Sequence, residues 1–211
     1  MGLLKLLTSD PLVFALVAIP LLFSVIIHEV AHGWVAYRMG DPTAKWSGRL
    51  TLNPLSHLDP IGTLMLFLAG FGWAKPVPVN FNNLTDKRKG LLFVSSAGVL
   101  ANILLAFFAL LFIRLFSSSS SGIAVILVYK VCTDVAYINI TLAALNLIPI
   151  PPLDGSKILL GITWKRTPYF LTRLEPYGFF IIIGLLYLGI LDPLIGLFRW
   201  MIGTLIGVLI P

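Results

Sequence analysis

Residues 11–32 read PLVFALVAIPLLFSVIIHEVAH. The 17 residues from Pro11 to Ile27 carry no charged side chain and no histidine; His28, Glu29 and His32 then follow within five positions. A helix needs about 17–25 apolar residues to cross hydrocarbon, so this stretch predicts a membrane helix with ionisable groups at its end. At about 1.5 Å per residue, His28 lies roughly 26 Å along from Pro11, close to the far side of a roughly 30 Å core. Two histidines at i and i+4 share one helical face and can bind one metal ion, with Glu29 beside the metal-bound water as general base. The chain has only three histidines and two glutamates, so this HExxH cluster is a poor candidate for chance. Charged side chains at membrane depth cost about 2.5–3.5 kcal/mol each on insertion scales, and groups kept at that cost are functional by default.

The rest of the chain agrees with a lipid solvent. Of 211 residues 58% are hydrophobic and 11% charged, with a mean hydropathy of +0.96, whereas a soluble domain carries about 25% charged residues. This excludes a water-soluble globule. The net charge of +6 is read as cytoplasmic loops and not as a nucleic-acid partner. One cysteine, Cys132, forms no internal disulfide. Further uncharged stretches run over Leu91–Ile113, Val135–Leu153 and, marginally, Pro176–Leu191. Pro60–Ala74 reaches only about 22 Å as helix and is read as re-entrant or interfacial. Beyond Asp192 an apolar piece interrupted by Arg199 spans or folds back, with Gly203 and Gly207 spaced for packing within the chain. Short strands are expected at Arg49–Leu52 and Val77–Phe81. The expectation is therefore one integral membrane domain over 1–211: an all-α polytopic protein with about 4–6 membrane helices, a small membrane-associated β element and a re-entrant segment. Its catalytic core covers about 11–160, and further membrane helices occupy about 176–210. The N-terminal stretch reads as a retained helix and not a cleaved signal, since no small-residue cleavage site follows it.

Sidedness comes from the basic residues. Arg38, Lys45, Arg49, Lys75, Lys87, Arg88 and Lys89 mark 38–90 as cytoplasmic, and Lys157, Lys165, Arg166 and Arg173 mark 149–175 likewise. Five serines at 117–121 suit a turn on the opposite side. A metal hydrolase needs a third protein ligand, and both Asp154 and His57 are candidates. If only Leu91–Ile113 crosses between them, the first and third membrane helices run parallel, and His28, His32 and Asp154 reach similar depth. That requires Pro60–Ala74 not to cross. His57 is preferred as a loop residue, and Lys130 with Asp134 reads as an interfacial ion pair.

Three separated motifs resemble the site-2 protease family of intramembrane zinc metalloproteases, in its compact prokaryotic branch without a PDZ domain. They are His28–His32 as HExxH, Gly98–Asn102 as GxxxN, and Asn146, Pro149, Asp154 and Gly155 as NxxPxxxxDG. The resemblance implies that His28, His32 and Asp154 hold one Zn2+ per chain and that Glu29 is catalytic. It implies that Gly98, Asn102 and Asn146 belong to substrate binding, with the Asn146 amide a candidate oxyanion donor. The substrate would be a transmembrane helix of another protein, cut near its cytoplasmic end in regulated intramembrane proteolysis. The location would be a prokaryotic plasma membrane, with the active site toward the cytoplasm. Two other readings use the same residues: a divalent-metal carrier or sensor without hydrolysis, and a non-catalytic chaperone that binds membrane helices.

Overall fold

The computed structural model describes residues 7–69, 74–116, 122–164 and 173–210. Helix α1 covers Pro11–Arg38; Asp10 caps it by accepting from the Val13 N–H at 3.1 Å, with proline in its first turn. It is followed by α2 (Thr43–Trp46), α3 (Pro60–Ala69), α4 (Lys87–Phe116), α5 (Ile123–Asn146), α6 (Asp154–Ile162), α7 (Gly178–Tyr187) and α8 (Asp192–Leu209). Four of these, α1, α4, α5 and α8, are long and apolar enough to cross a membrane. Their contacts make α4 the centre of the bundle, with α1, α5 and α6 packed on it and α8 packed on α5. The apolar core lies where small residues let helices approach: Ala106, Ala136, Ala143 and Ala144 with Val99, Ile202 and Ile206.

Two spans differ from the sequence reading. The helix expected over Val135–Leu153 is α5, Ile123–Asn146, which takes in Lys130 and Asp134 and ends before the 147–153 turn. The other is the marginal one. The stretch Pro176–Leu191 yields only the ten-residue α7, because the chain turns at Gly189, whose φ of +69° few side chains tolerate. The fourth membrane-length helix is α8, across Arg199. Among the described residues a Cβ on Gly203 or Gly207 would meet nothing within 4 Å, so there these glycines do not make the close helix packing expected of them. The expected strands also do not form. Among the described residues the only β pairing is an isolated antiparallel bridge, Leu58 to Ala74. Pro76 and Pro78 remove two donors from the extended 75–80 segment, and the Lys75 and Pro76 carbonyls and the Val77 and Asn80 N–H groups bond to side chains instead of a ladder.

The ends of the Pro60–Ala74 excursion meet: the Lys75 N–H donates to the His57 carbonyl at 2.8 Å beside the Leu58–Ala74 bridge. The segment therefore leaves and returns to one place, although 70–73 lie outside the described residues. Ser24 bonds Asn139, and His28, further along α1, lies beside Asp154 just beyond the end of α5, so α1 and α5 run parallel. The serine run 117–121 and the basic residues Lys165 and Arg166 also lie outside the described residues.

Candidate metal centre

The parallel course of α1 and α5 brings the end of α5 beside His28 and His32. There the chain turns through 147–153 and starts α6 on Asp154. Gly155 makes this turn possible, because a Cβ there would run into the carbonyls of Leu147 and Ile148. His28, His32 and Asp154 are all buried and form one cluster. The two Nε2 atoms are 3.0 Å apart, and each lies close to Asp154 Oδ2, at 3.2 Å from His28 and 3.1 Å from His32.

The second nitrogen of each ring decides the chemistry. His28 Nδ1 is 2.6 Å from Asn102 Oδ1, and His32 Nδ1 is 2.6 Å from the Val94 carbonyl oxygen. Both partners accept, so each ring carries a proton on Nδ1, which in the neutral imidazole leaves the Nε2 lone pair, on the side of the carboxylate, for a cation. The Asn102 orientation is itself pinned: its Nδ2 donates to Asn139 Oδ1 at 2.6 Å and to the Ser24 carbonyl at 3.4 Å. Asn139 in turn donates to Ser24 Oγ and the Val135 carbonyl, both at 2.8 Å. Three electron-pair donors thus converge, and Asp154 Oδ2 has no hydrogen-bond partner. Unneutralised, such a triangle is repulsive; a cation makes it favourable. A tetrahedral centre with bonds of about 2.0–2.1 Å spaces its ligands about 3.3 Å apart, so the triangle fits one zinc ion.

Gly98 on α4 faces the rings directly. A Cβ there would lie 2.5 Å from His28 Cε1, 2.5 Å from His32 Nε2 and 2.6 Å from His28 Nε2. Asn102, one turn on, is fully buried and bonded to His28. Asn146 is partly buried, and its Nδ2 donates to the Leu142 carbonyl of its own helix at 3.0 Å, which uses one of its two N–H groups. His57 lies outside the metal cluster. It is buried in its loop, with Nε2 2.8 Å from the Thr51 carbonyl oxygen. Lys130 and Asp134 pair at 2.9 Å as anticipated.

Glu29 is held by a strap. Its Oε2 accepts the Val77 N–H at 2.9 Å. Arg49 fixes the strap by donating from Nη2 to the carbonyls of Lys75 at 2.5 Å and Pro76 at 3.2 Å. Asp41, fully buried, accepts from the Asn80 N–H at 2.7 Å and from Asn83 Nδ2 at 2.8 Å. Burial pushes the Asp41 carboxyl up, but hydrogen bonds from Thr43, Asn83 and the backbone N–H groups of Asn80 and Thr43 outweigh it and hold it below its ordinary value. Sequence reasoning missed Ser24, Asp41, Arg49 and Asn139. Polar residues inside long apolar runs were the available signal for Ser24 and Asn139.

Membrane-length helices that bury a metal-sized triangle of two imidazoles and a carboxylate, with a glutamate beside it, define a class: integral-membrane metallohydrolases. The family model Peptidase family M50 matches residues 116–188. A Bacillus subtilis protein named "Putative zinc metalloprotease YwhC" is 40% identical over 172 residues, 79% of this chain and 78% of that protein. "Putative zinc metalloprotease Rip2" of Mycolicibacterium smegmatis is 33% identical over 82% of this chain and 67% of its own length. "Putative zinc metalloprotease MJ0611" of Methanocaldococcus jannaschii is 31% identical over 70% and 71%. No solved structure matches the chain. The chain belongs to peptidase family M50, the site-2 protease family of zinc metalloproteases.

Proposed function

We propose that this protein is an intramembrane endopeptidase holding one Zn2+ on His28, His32 and Asp154, which cuts a transmembrane helix of another protein close to its cytoplasmic end. The observation that carries this reading is the triangle of three ligand atoms 3.0–3.2 Å apart, with Glu29 one residue from His28 in the C-terminal half of a membrane-length helix. Bound zinc supplies Lewis acidity, polarising the scissile carbonyl and lowering the pKa of water to about 7. Glu29 takes the proton of the attacking water and delivers it to the leaving nitrogen. Asn102 keeps the Nε2 face of His28 toward the centre by accepting from Nδ1. Asn146 has a second N–H with which to donate to the developing oxyanion or to the substrate backbone. Gly98 lets the backbone of α4 pack directly on the imidazoles of His28 and His32, where a Cβ would come within 2.5 Å of both rings.

A helical substrate hides its peptide bonds, so local unwinding precedes attack; buried amides then take up the freed backbone groups. The basic residues near the site, including Arg38, Lys45 and Arg49, support a cytoplasmic orientation. The bacterial and archaeal relatives support a prokaryotic plasma membrane. The product, a helix fragment released toward the cytoplasm, suits regulated intramembrane proteolysis.

The test combines metal analysis with cleavage. In purified protein, about one zinc per chain is expected, lost in Asp154→Ala and kept in His57→Ala. With single-span polypeptides co-reconstituted in zinc-loaded vesicles, Glu29→Gln should retain zinc and lose cleavage by about 100-fold or more. Undiminished cleavage by Glu29→Gln refutes the catalytic assignment. Zinc flux that survives Glu29→Gln indicates a carrier, and helix capture without zinc a chaperone.

A further inference from the structure

Outside the metal centre, Arg199 is a charge inside a membrane-length helix that no carboxylate answers. It is the eighth of eighteen residues in α8, near the middle of a membrane-length helix. All nine aspartates and glutamates lie within the described residues, and none forms an ion pair with it. Its guanidinium sits 4.4 Å from the ring centre of Tyr137, the fifteenth of twenty-four residues in α5. The two helices meet at mid-depth around an open cleft of ≈ 350 Å³ lined by Tyr137, Ile140, Gly196, Arg199 and Trp200. Tyr137 and Trp200 are 56% and 67% exposed, so the cleft opens outward, toward lipid.

The same face of α8 is built for close approach. At 3.6 residues per turn, Arg199, Gly203, Gly196, Gly207 and Trp200 fall within an arc of about 100°. A Cβ at Gly196, Gly203 or Gly207 would meet nothing within 4 Å among the described residues. Ile202 and Ile206, on another arc, pack into the core against Ala136 and Ala143. A glycine face lets a second backbone come near, and a cation in an apolar cleft at mid-depth calls for a carboxylate. Lipid phosphates lie at the membrane surface, too far to serve. A second copy has no free carboxylate to offer at this depth, since Asp134 in α5 is paired with Lys130.

We propose that this face of α8 docks a transmembrane helix of another protein that carries one aspartate or glutamate in the middle of its span, with the carboxylate entering the cleft beside Arg199. The tyrosine ring holds the guanidinium in place before the partner arrives. Docking is independent of the metal centre, and so of the proteolytic reading.

The test uses the full-length protein in nanodiscs with synthetic single-span Leu/Ala helices carrying aspartate, asparagine or leucine at the centre, with association read by energy transfer. The aspartate helix should bind at least about tenfold tighter than the leucine helix, and Arg199→Leu should abolish the difference. Gly203→Leu, which leaves the charge in place, should weaken binding of the aspartate helix. Arg199→Glu should prefer a helix with central lysine, a reversal that a misfolded variant could not produce. Zinc content should be unchanged in every variant. Equal binding of the aspartate and leucine helices, no reversal with the lysine helix, or a cleft found filled by self-association of the chain would each overturn the proposal.

Discussion

Glycine and charge occur at both ends of the molecule's packing range, and they mean different things there. At Gly98, helix α4 touches the two imidazoles that α1 presents; His28 is held by a buried chain running from Asn102 through Asn139 to the Ser24 hydroxyl, and His32 by the Val94 carbonyl. At Gly203 a Cβ on α8 would meet nothing within 4 Å among the described residues, and nearby Arg199 has a ring beneath it but no counter-charge. One region is a closed cluster of three ligand atoms suited to a cation. The other is an open face that carries a cation. Identical residue types are thus distinguished by what surrounds them, and burial and hydrogen-bond completeness separate a centre from a docking surface.

The sharpest way to break this contrast is a pair of small substitutions. Gly98→Ala should reduce zinc affinity by about tenfold or more, because the new methyl displaces ligating rings. Gly203→Ala should leave zinc binding unchanged and alter stability by no more than about 0.5 kcal/mol. Competition against a zinc-selective chelator, with thermal unfolding of the same samples, reads both; similar zinc affinities for the two variants would erase the distinction.

The amide chain gives a smaller effect. Asn139→Leu removes the group that orients Asn102 and through it His28, and should weaken zinc binding about tenfold. Ile140→Ala, on the same helix, controls for lost packing: it should lower the melting temperature without changing zinc affinity. Equal zinc loss in both would reduce Asn139 to a packing residue.

The weakest effect belongs to Asp41, which ties Asn80 and Asn83 to the end of α1. Its folded-state pKa lies below its value in the unfolded chain. Its stabilisation is therefore complete above the ordinary carboxylate range, from about pH 5 upward, and fades as pH falls through the depressed folded value. Melting temperatures between pH 7 and pH 3 should fall for the parent, and less steeply for Asp41→Asn, which begins lower by a few degrees. Parallel curves would remove Asp41 from the acid response.

What the sequence alone determined was everything that depends on local periodicity and on the cost of polar groups in lipid. Pro11–Ile27 had to be helical because its backbone has no water to bond to, and His28 and His32 had to share a face because they are four residues apart. Asp154 was reachable by counting spans, since one intervening crossing makes α1 and α5 parallel. Tertiary structure decided the rest. The tautomers of His28 and His32 depend on Asn102 and the Val94 carbonyl, which lie 74 and 62 residues away. Whether 75–80 forms a strand depended on the presence of a ladder partner, which no alternation can guarantee. Whether Pro176–Leu191 or α8 becomes the fourth span turned on Gly189, and whether Gly203 packs or lies open turned on which face of α8 meets α5. Such contacts join residues far apart in the chain, and a single sequence encodes them only through the fold it builds.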